Sequence, residues 1–364
     1  MKAVFDLKEA MDKKMISTNR KVVTFGEVML RLTAPDFRRF SQTNEFIATY
    51  GGSEANVAVS LANFGIPTEF VTRLPDNAMA QACIASLRAN GLGTEGIVFG
   101  GKRMGLYFLE SGASFRNSNV VYDREGSSFA TLRPGMIDWE KIFADADWFH
   151  WSGIAAALSQ EGADACREAL ETADRMGLTI SCDLNVRKKL WNYGRSVADV
   201  MLPLVQYSDV IFGAEPEYKE VFDIAPVGFQ AVDTAYPLDL KGFETFGQKI
   251  SHIVPRCRKV FLELRNTITS NHNLLAAVLY SDQTLKYTGI YDITHEVDRV
   301  GTGDAFVGGM IYGLLTYPDN DQKALEFALA ASALKNTVYG DFNQVTVEEV
   351  ESLMKGNTSG RVTR

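Results

Sequence analysis

The sequence predicts an α/β fold of the doubly wound type, in which a mostly parallel β-sheet carries helices on both faces. The first reason is that strand-like and helical patterns alternate along most of the 364 residues, an order typical of parallel strands joined by helices. The second is that several helical segments carry both start and stop signals. The third is that two regions break the alternation and predict a small separate sheet.

The first predicted elements are bounded by clear flanking residues. The run KVVTFGEVML is predicted as one strand. A helix follows in SEANVAVSLANFG, with Ser53 as its cap and Gly65 at its end. After the strand TEFVTRL, a second helix is predicted between a cap at Asp76 and a stop at Gly91.

The second half of the chain continues the alternation. In order, it predicts the strand DWFHWSG, a helix at about 159–176, the strand LTISCDLN, a helix near 195–206, the strand DVIFG, a helix from Glu215 and the strand KVFLELR. LLAAVLYSDQTLKYTGI is predicted as a hairpin that turns at Ser281-Asp282-Gln283. Residues 225–245 are predicted as an irregular insertion.

The domain itself is expected to span residues 21–355. Segments 33–50 and 101–132, rich in Tyr, Phe, Ser, Gly and Arg, are predicted as short antiparallel strands that form a small sheet standing off the main domain. Residues 1–20 are expected to be an N-terminal extension with a short amphipathic helix, and residues 356–364 a polar tail.

Composition and charge argue against several classes of function. The chain is 46% hydrophobic and 23% charged, and its net charge of −8 argues against nucleic-acid partners and anionic membranes. No run of about 18 apolar residues predicts a membrane span. The four cysteines form no CxxC pair and the N-terminus lacks the apolar core of a secretory signal, so a cytoplasmic location is expected.

Two phosphate-binding motifs are matched only in part. GLGTEG, from Gly91 to Gly96, fits GxGxxG but follows a predicted helix and precedes a strand, the reverse of the dinucleotide-binding order. GIVFGGKR has Arg103 where a P-loop needs serine or threonine, and its apolar residues favour a strand. Neither a dehydrogenase nor a P-loop enzyme is therefore predicted.

The stretch DRVGTGDAF, residues 298–306, places two glycines and an acid where a helix is predicted to begin. Backbone N–H groups at a helix N-terminus attract anions, and Gly301 and Gly303 would let that backbone approach an anion closely. Asp304 is then either a helix cap or a base that accepts a proton beside a transferred phosphoryl group. These nine residues alone do not decide between the two.

Two further segments place polar groups near the expected crevice. In CDLNVR, Asp183, Asn185 and Arg187 alternate and are expected to face one side at the carboxyl end of a strand, where α/β folds bind ligands. A polar loop edge is the alternative. In GGSEANVA, Gly52 permits close backbone approach and Asn56 offers an amide suited to sugar hydroxyls, with simple helix initiation as the alternative.

Together these segments resemble the two signatures of the ribokinase (PfkB) family of sugar kinases. DRVGTGDAFVGGMIYGLL resembles the carboxyl-terminal signature and GGSEANVAVSLANFG the amino-terminal one, and the pair is specific where either alone is not. The similarity covers roughly residues 21–355. Within the family the chain is most similar to the 2-keto-3-deoxygluconate kinases, on the stretches GLYF, VVYDREGSSF, SGIAAALS, DLNVRKKLW and ALKNTVYGDFN.

The resemblance implies a ribokinase-like domain with a β-sheet lid, which phosphorylates the terminal hydroxyl of 2-keto-3-deoxygluconate with ATP to give the 6-phosphate. Asp304 would be the general base, and the N–H groups of Gly301, Thr302 and Gly303 an anion hole. It also implies Mg²⁺ on the ATP phosphates, with Glu217 as a candidate ligand, and K⁺ as a further candidate ion near Asp298. The implied sugar-acid contacts are Gly52, Asn56, Tyr107, Tyr122, Arg124 and Arg187, and the implied nucleotide contacts are Asn185, Arg187, Leu264, Arg265, Gly301 and Gly303.

The charged residues bear on the choice of sugar. Arg124 and Arg187 offer planar guanidinium groups, which suit a carboxylate, whereas a neutral sugar is bound mainly by amide and carboxylate side chains.

The sequence departs from the family pattern at three places. Ala214 stands where asparagine is common, the stretch LRNTITS lacks the glycines of the usual nucleotide loop, and Asp123 would either repel a substrate carboxylate or pair with Arg124.

Three hypotheses follow from the sequence. The leading one is the sugar-acid kinase, and the near alternative is another sugar kinase of the family, such as a fructokinase. A non-catalytic sugar-acid sensor on the same fold is the alternative from another class, suggested by Ala214 and the glycine-poor loop. Because a lid has unpaired strand edges, a homo-oligomer formed through the lid is expected.

Overall fold

The computed structural model describes residues 20–358, so the helix expected within the N-terminal extension and most of the polar tail lie outside the described residues. The strands are β1 (Lys21–Phe25), β2 (Met29–Thr33), β3 (Ile47–Gly51), β4 (Thr68–Leu74), β5 (Ile97–Phe99), β6 (Gly105–Glu110), β7 (Asn119–Asp123), β8 (Ala146–Ser152), β9 (Thr179–Asp183), β10 (Val210–Gly213), β11 (Lys259–Thr269), β12 (His272–Ser281), β13 (Thr284–Tyr287) and β14 (Tyr291–Ile293). The helices are α1 (Ser53–Asn63), α2 (Ala78–Ala89), α3 (Trp139–Phe143), α4 (Gly153–Ala157), α5 (Gln160–Arg175), α6 (Val197–Val205), α7 (Glu215–Phe222), α8 (Leu240–Ile253), α9 (Thr302–Thr316), α10 (Asp321–Lys335) and α11 (Val347–Met354).

The main sheet has the doubly wound topology that the sequence predicts. Ten of the strands in residues 20–358 form it, in the order β13-β12-β11-β10-β9-β8-β1-β4-β5 with β14 beside β12. Neighbours from β11 to β5 are parallel, whereas β12, β13 and β14 add antiparallel pairs. The chain leaves β1 first toward β4 and later returns to β8 on its other side. This switch point is where α/β sheets open a ligand crevice at their carboxyl edge.

Alternate side chains of the central strands enter two hydrophobic cores, one on each face of the sheet. Val23 and Phe149 pack in one core with α3 and with α5 to α8, while their neighbours Val22 and Trp148 pack in the other with α1, α9, α10 and α11. Burial on both faces explains why these strands are apolar at almost every position. The hydrophobic effect acting on both faces therefore holds the layers of helices to the sheet.

Helices α1 and α9 lie close together and run in the same direction. A Cβ atom on Gly308 would lie only 2.7 Å from the Cβ of Ser60, so a larger residue would push the helices apart. One turn earlier on each helix, Asn56 contacts Asp304. Because the contacts advance together along both helices, the two N-termini meet at the carboxyl edge of the sheet.

The second sheet is the predicted lid, with the strand order β3-β2-β6-β7. The sequence prediction was wrong in two details. The run KVVTFGEVML is two strands, because β1 ends at Phe25 in the main sheet and β2 begins at Met29 in the lid. The lid is also mixed, because β2 and β6 are parallel while the outer pairs are antiparallel. Register across a chain crossover depends on tertiary packing, which local patterns do not encode.

The predicted helix ends and turns agree with the structure except at two caps and in residues 225–245, where helix α8 begins at Leu240 within the predicted irregular insertion. Asn77, and not Asp76, caps α2, since its side chain accepts a hydrogen bond of 3.0 Å from the N–H of Ala80. At α1 the cap position is Gly52, and Ser53 is the first helical residue. The predicted hairpin turns between β12 and β13, and GLGTEG follows α2 and leads into β5, so neither partial phosphate motif forms a phosphate loop.

Residues 20–358 contain no helix that is both long and apolar enough to cross a membrane. The four cysteines are all buried free thiols. His150 is a buried strand residue with its Nδ1 2.8 Å from the hydroxyl of Ser181. Burial lowers the pKa of His150 to about 3, so this histidine is neutral at physiological pH.

Candidate active site

A cavity of about 860 Å³ opens between the lid and the carboxyl edge of the main sheet. The N-termini of α1 and α9 form its floor, lid strands β6 and β7 face them, and the segments after β9 and β10 close one side. The predicted site residues that line it are Gly52, Asn56, Tyr107, Tyr122, Arg124, Asn185, Arg187, Glu217, Arg265, Gly301, Thr302, Gly303 and Asp304. Leu264 and Asp298 are absent from the lining, and Leu264 packs in the core because alternation along β11 turns Arg265 to the cavity instead.

Asp304 lies in the first turn of α9 but does not cap it, because Gly301 occupies the cap position and no side-chain cap is present. Its carboxylate is instead held by helix α1. The hydroxyl of Ser53 donates to Oδ1 at 2.8 Å, and Nδ2 of Asn56 donates to Oδ2 at 2.6 Å. The backbone N–H of Gly52 donates to Oδ1 of Asn56 at 3.2 Å, which fixes the orientation of that amide. Two helix N-termini are thus joined through one carboxylate.

The surroundings of Asp304 raise its pKa. Burial raises the pKa of this carboxyl group above its usual value of 3.8, while the hydrogen bonds from Asn56 and Ser53 oppose the rise. The positive end of the helix dipole favours the ionised form of this group, whereas burial disfavours it. A raised pKa brings a carboxylate nearer to the working range of a general base.

The turn before Asp304 can bind an anion through its backbone. Gly301 has a φ of 83°, and a Cβ there would lie 2.1 Å from the carbonyl oxygen of Asp341, so this position requires glycine. The N–H of Thr302 already donates to the carbonyl of Arg299 at 3.3 Å. Within residues 20–358, the N–H groups of Gly301 and Gly303 have no hydrogen-bond acceptor. Two of the three predicted anion-hole donors are therefore free.

Side chains that follow β9 line the cavity because the backbone turns at Asn185, and not because the strand continues. The strand ends at Asp183 and Asn185 has a φ of 37°, so the predicted strand-like alternation stops before Arg187. Nδ2 of Asn185 donates to the hydroxyl of Ser53 at 2.9 Å and to Oδ2 of Asp183 at 3.1 Å. Among residues 20–358, Oδ1 of Asn185 is buried without a hydrogen-bond partner.

Two carboxyl groups with raised pKa values face this side of the cavity. Burial raises the pKa of Asp183 well above its usual range, and the nearby charge of Glu217 adds to the rise. Burial also raises the pKa of Glu217, whose Oε2 accepts a hydrogen bond of 2.7 Å from the N–H of Ala214. The side chain of Arg187 is half exposed, and its Nη1 lies 3.7 Å from Oε1 of Glu217.

No metal centre is built from side chains alone in the described part of the chain. No group of three or more His, Cys, Asp or Glu residues there could hold a metal ion. The two predicted metal ligands also lie apart, since Glu217 lines the cavity and Asp298 does not.

Arg265 is the positively charged residue of the predicted nucleotide-binding segment LRNTITS, and it lines the cavity. LRNTITS is not a loop, because β11 continues to Thr269. The Nη2 of Arg265 donates to the hydroxyl of Thr302 at 2.6 Å, which ties this strand to the anion-binding turn. Arg299 also lines the cavity, so two guanidinium groups flank the turn.

The lid contributes two tyrosines with different surroundings. Tyr107 is 3% exposed, and its hydroxyl lies 2.6 Å from both carboxylate oxygens of Asp341. Tyr122 is 48% exposed, and its ring centroid lies 5.8 Å from that of Tyr107. Tyr107 is therefore anchored, whereas Tyr122 is free to contact a ligand.

Arg124 differs from the sequence expectation, because a buried acid already binds its guanidinium. Its Nε donates to Oε2 of Glu27 at 2.8 Å, and Nη2 binds the same oxygen. The hydroxyl of Ser127 donates to the other carboxylate oxygen of Glu27 at 2.5 Å. Asp123 pairs with Arg103 at 2.8 Å and not with Arg124. Of the two arginines predicted for a substrate carboxylate, Arg187 is the more available.

Sequence reasoning missed several residues of the site. Glu27 lies in the short break between β1 and β2, and Asp341 lies in the stretch VYGDFN, where the only signal is similarity to the family. Ser53 was predicted only as a cap. The available signal for Glu27 was a lone acid between two apolar runs. No comparable signal marks Asp341, whose role depends on contacts with the distant lid.

Comparisons with known proteins identify the family of the chain. Residues 19–235 and 273–346 match the model of the pfkB family carbohydrate kinases. The chain is 31% identical over 345 residues to the 2-dehydro-3-deoxygalactonokinase of Haloferax volcanii, a match that covers 93% of this chain and 98% of that one. It is 40% identical to the crystal structure of the 2-dehydro-3-deoxygluconokinase of Thermotoga maritima, with a TM-score of 0.85 and coverage of 93% and 100%. A PfkB family carbohydrate kinase from Listeria grayi is 29% identical, with a TM-score of 0.84 and coverage of 92% and 100%.

A buried acid, Glu54, lies behind the site, next to Ser53 on α1. It is 1% exposed, and the hydroxyl of Ser152 donates to its Oε1. Burial raises the pKa of Glu54 to about 7, and the charge of Asp304 adds to the rise. The folded state therefore binds this proton more tightly than the unfolded chain does. The stability that the proton confers is present below the usual pKa of 4.5 and is lost as the pH rises through about 7.

We expect Glu54→Gln to be more stable than the wild-type protein at pH 8.5, by roughly 1 to 3 kcal/mol, and to lose most of that advantage only by about pH 5, as the pH approaches the usual pKa of 4.5. The free energy of unfolding, measured with urea at several pH values, gives the comparison. Glu45→Gln, the same change at an exposed position, is the control and should differ from wild type equally at all pH values. A Glu54→Gln difference that does not change with pH would contradict the assignment.

Proposed function

This chain belongs to the pfkB family of carbohydrate kinases, and from that premise we propose that it phosphorylates the terminal hydroxyl of 2-keto-3-deoxygluconate with ATP to give the 6-phosphate. The observation that carries the proposal is the buried carboxylate of Asp304, held at the cavity floor beside the free N–H groups of Gly301 and Gly303. A base and an anion-binding turn in one place suit transfer of a phosphoryl group to a hydroxyl.

In the proposed mechanism, Asp304 takes the proton of the terminal hydroxyl while that oxygen bonds to the γ-phosphorus of ATP. The bond from phosphorus to the bridging oxygen breaks, and ADP leaves with the electron pair. The N–H groups of Gly301 and Gly303, with the positive end of the α9 dipole, stabilise the charge on the phosphoryl oxygens. Ser53 and Asn56 keep the carboxylate in place throughout.

Magnesium would be held mainly by the ATP phosphates, because the described protein residues provide no full set of ligands. The oxygen atoms at that side of the cavity belong to Asp183, Asn185 and Glu217. The buried and unpartnered Oδ1 of Asn185 fits a water molecule of a hydrated metal ion. When bound, Mg²⁺ would neutralise phosphate charge. Arg265 and Arg299 are the proposed protein contacts of the phosphates.

Relatives and charge together support a sugar acid over a neutral sugar. The 40% identical structure from Thermotoga maritima is a 2-dehydro-3-deoxygluconokinase. The names 2-dehydro-3-deoxygluconate and 2-keto-3-deoxygluconate describe the same sugar acid. Arg187 is the proposed carboxylate contact. Its guanidinium is half exposed and pairs only weakly with Glu217, at a distance of 3.7 Å. The relative from Haloferax volcanii favours a second candidate, the galactonate form, which differs in configuration at one carbon.

A coupled assay of ADP release over a sugar panel tests the proposal. We expect kcat/KM for 2-keto-3-deoxygluconate to exceed that for fructose by about 10²-fold or more, since a site built for a polar group rejects analogues that lack it. The 2-keto-3-deoxygalactonate arm compares the two sugar acids. Turnover of fructose without turnover of either acid would overturn the proposal. Tight sugar binding in calorimetry with no ATP binding would favour the sensor.

We expect Asp304→Asn to lower kcat by about 10²-fold or more, because the amide cannot accept the proton. The dissociation constant for the sugar acid, measured by calorimetry, should stay within about three-fold of wild type, since the cavity keeps its shape. Asp319→Asn, the same change at an exposed position, should leave kcat unchanged. Activity above a tenth of wild type in Asp304→Asn would remove this residue from the role of base.

We further propose that two copies of the chain associate through the outer face of the lid. Tyr107 and Tyr122 face the cavity, whereas the register pair Phe108 and Val121 faces outward. Phe108 forms an aromatic cluster there with Phe40 and Phe46. Val121 is 46% exposed, so this apolar face is uncovered.

Sedimentation equilibrium tests the association. We expect the wild-type chain to be a dimer or larger, and Val121→Lys to weaken association by about ten-fold or more, because a lysine there would have to be desolvated. Val232→Lys places the same charge at a valine that is 75% exposed outside the lid and serves as control. Unchanged association in Val121→Lys would exclude this face.

A further inference from the structure

A fully buried lysine lies beside the segment that leads into the anion-binding turn. Lys335 has no exposed surface and ends helix α10. Its Nζ donates to the carbonyl oxygens of Asp298, at 3.3 Å, and of Val338, at 3.1 Å. Carbonyl oxygens at the C-terminus of a helix form an environment that favours a cation. In this protein the cation is part of the chain.

The carboxylate of Asp298, expected from sequence to lie near K⁺, is also fully engaged. Nη2 of Arg31 binds its Oδ2 at 2.5 Å, and the N–H of Gly340 donates to the same oxygen at 3.0 Å. The N–H of Val300 donates to Oδ1 at 3.1 Å. Nη1 of Arg31 binds Asp341 at 2.7 Å. Every side-chain and carbonyl oxygen of Asp298 thus has a donor.

Charge in this cluster is balanced without an added ion. Its two carboxylates, Asp298 and Asp341, are matched by two cations, Arg31 and Lys335, and all four side chains are buried. Burial lowers the pKa of Lys335, and the two carboxylates oppose that shift. A K⁺ ion placed here would leave one uncompensated buried charge, which is costly. The residues around Asp298 therefore do not fit a bound monovalent cation.

We propose that the ammonium group of Lys335 is a built-in cation that positions the phosphoryl-binding turn, so that the enzyme needs no K⁺. Lys335 holds the carbonyl of Asp298, whose carboxylate holds the N–H of Val300, and Val300 directly precedes Gly301. The N–H groups of Val297 and Asp298 also donate to the carbonyl of Asn336, at 2.8 and 3.3 Å. Lys335 is a positioning residue, and its effect on turnover rests on the proposed function.

The wild-type protein provides the first test. Initial rates and the thermal unfolding midpoint are measured in KCl, NaCl and choline chloride at equal ionic strength. We expect kcat and KM to agree within about two-fold and the midpoint within about 1 °C, because no site selects K⁺. A rise in kcat of more than about five-fold in KCl, or a K⁺-specific rise of several degrees in the midpoint, would overturn the proposal.

Variants of Lys335 provide the second test. Lys335→Ala removes the ammonium and opens space beside the two carbonyls, so kcat in choline chloride should fall by about 10-fold or more while KM for the sugar acid changes little. K⁺ or NH₄⁺ should restore part of kcat and raise the midpoint. Lys335→Met fills the space without charge and should respond to no cation. Lys219→Met, at an exposed helical lysine, is the control.

Each outcome has a defined meaning. If Lys335→Ala behaves like wild type in choline chloride, or if K⁺ and NH₄⁺ change neither its rate nor its midpoint, the proposal is overturned. If Lys335→Ala does not fold, the comparison of salts on the wild-type protein still decides. If no sugar acid is phosphorylated, the function is wrong, but the unfolding midpoints of wild type and variants still test the cation.

Discussion

The carboxylate of Asp304 is shared between two helices, and the geometry of the site depends on this contact. Ser53 and Asn56 of α1 each bind one of its oxygens, so the N-termini of α1 and α9 converge on a single anion. The parallel packing that brings them together rests on Gly308 against Ser60 one turn further on. Burial raises the pKa of the carboxylate, while its donors and two helix dipoles favour the charged form. Packing and proton affinity are therefore set by the same pair of helices.

A second acid, Asp341, connects the lid to the anion-binding turn. Its carboxylate binds Arg31 and Tyr107, which lie on neighbouring lid strands. Its carbonyl oxygen packs so closely against Gly301 that no side chain fits there. The lid is thus fixed to the turn by buried hydrogen bonds as well as by its connecting segments. Removing one member of such a cluster leaves an unpaired buried charge, so these groups are energetically coupled.

Much of the fold could be predicted from the sequence, because hydrophobic periodicity and the residues that begin and end helices are local signals. Alternation of strands and helices predicted the doubly wound sheet, and positive φ values at Gly65 and Gly91 agree with the predicted helix ends. The cavity-floor residues Gly52, Asn56, Gly301, Gly303 and Asp304 lie in the two signatures. The parallel pairing within the lid and the left-handed turn at Asn185 could not be predicted, because they depend on contacts between distant segments. The partners of Arg124 and Asp298 were missed for the same reason.

The arginines show what residue type alone does not reveal. Counting guanidinium groups favoured an acidic substrate, yet Arg124 is neutralised by Glu27, and such a buried pair offers little net attraction to a further anion. Arg187 remains half exposed at 3.7 Å from Glu217. A guanidinium in that position keeps its charge without the cost of burial, and a substrate carboxylate can compete for it. Under the proposed function, selection for an acid sugar would therefore depend on the weakly paired Arg187, whereas Arg124 is held in a buried pair with Glu27.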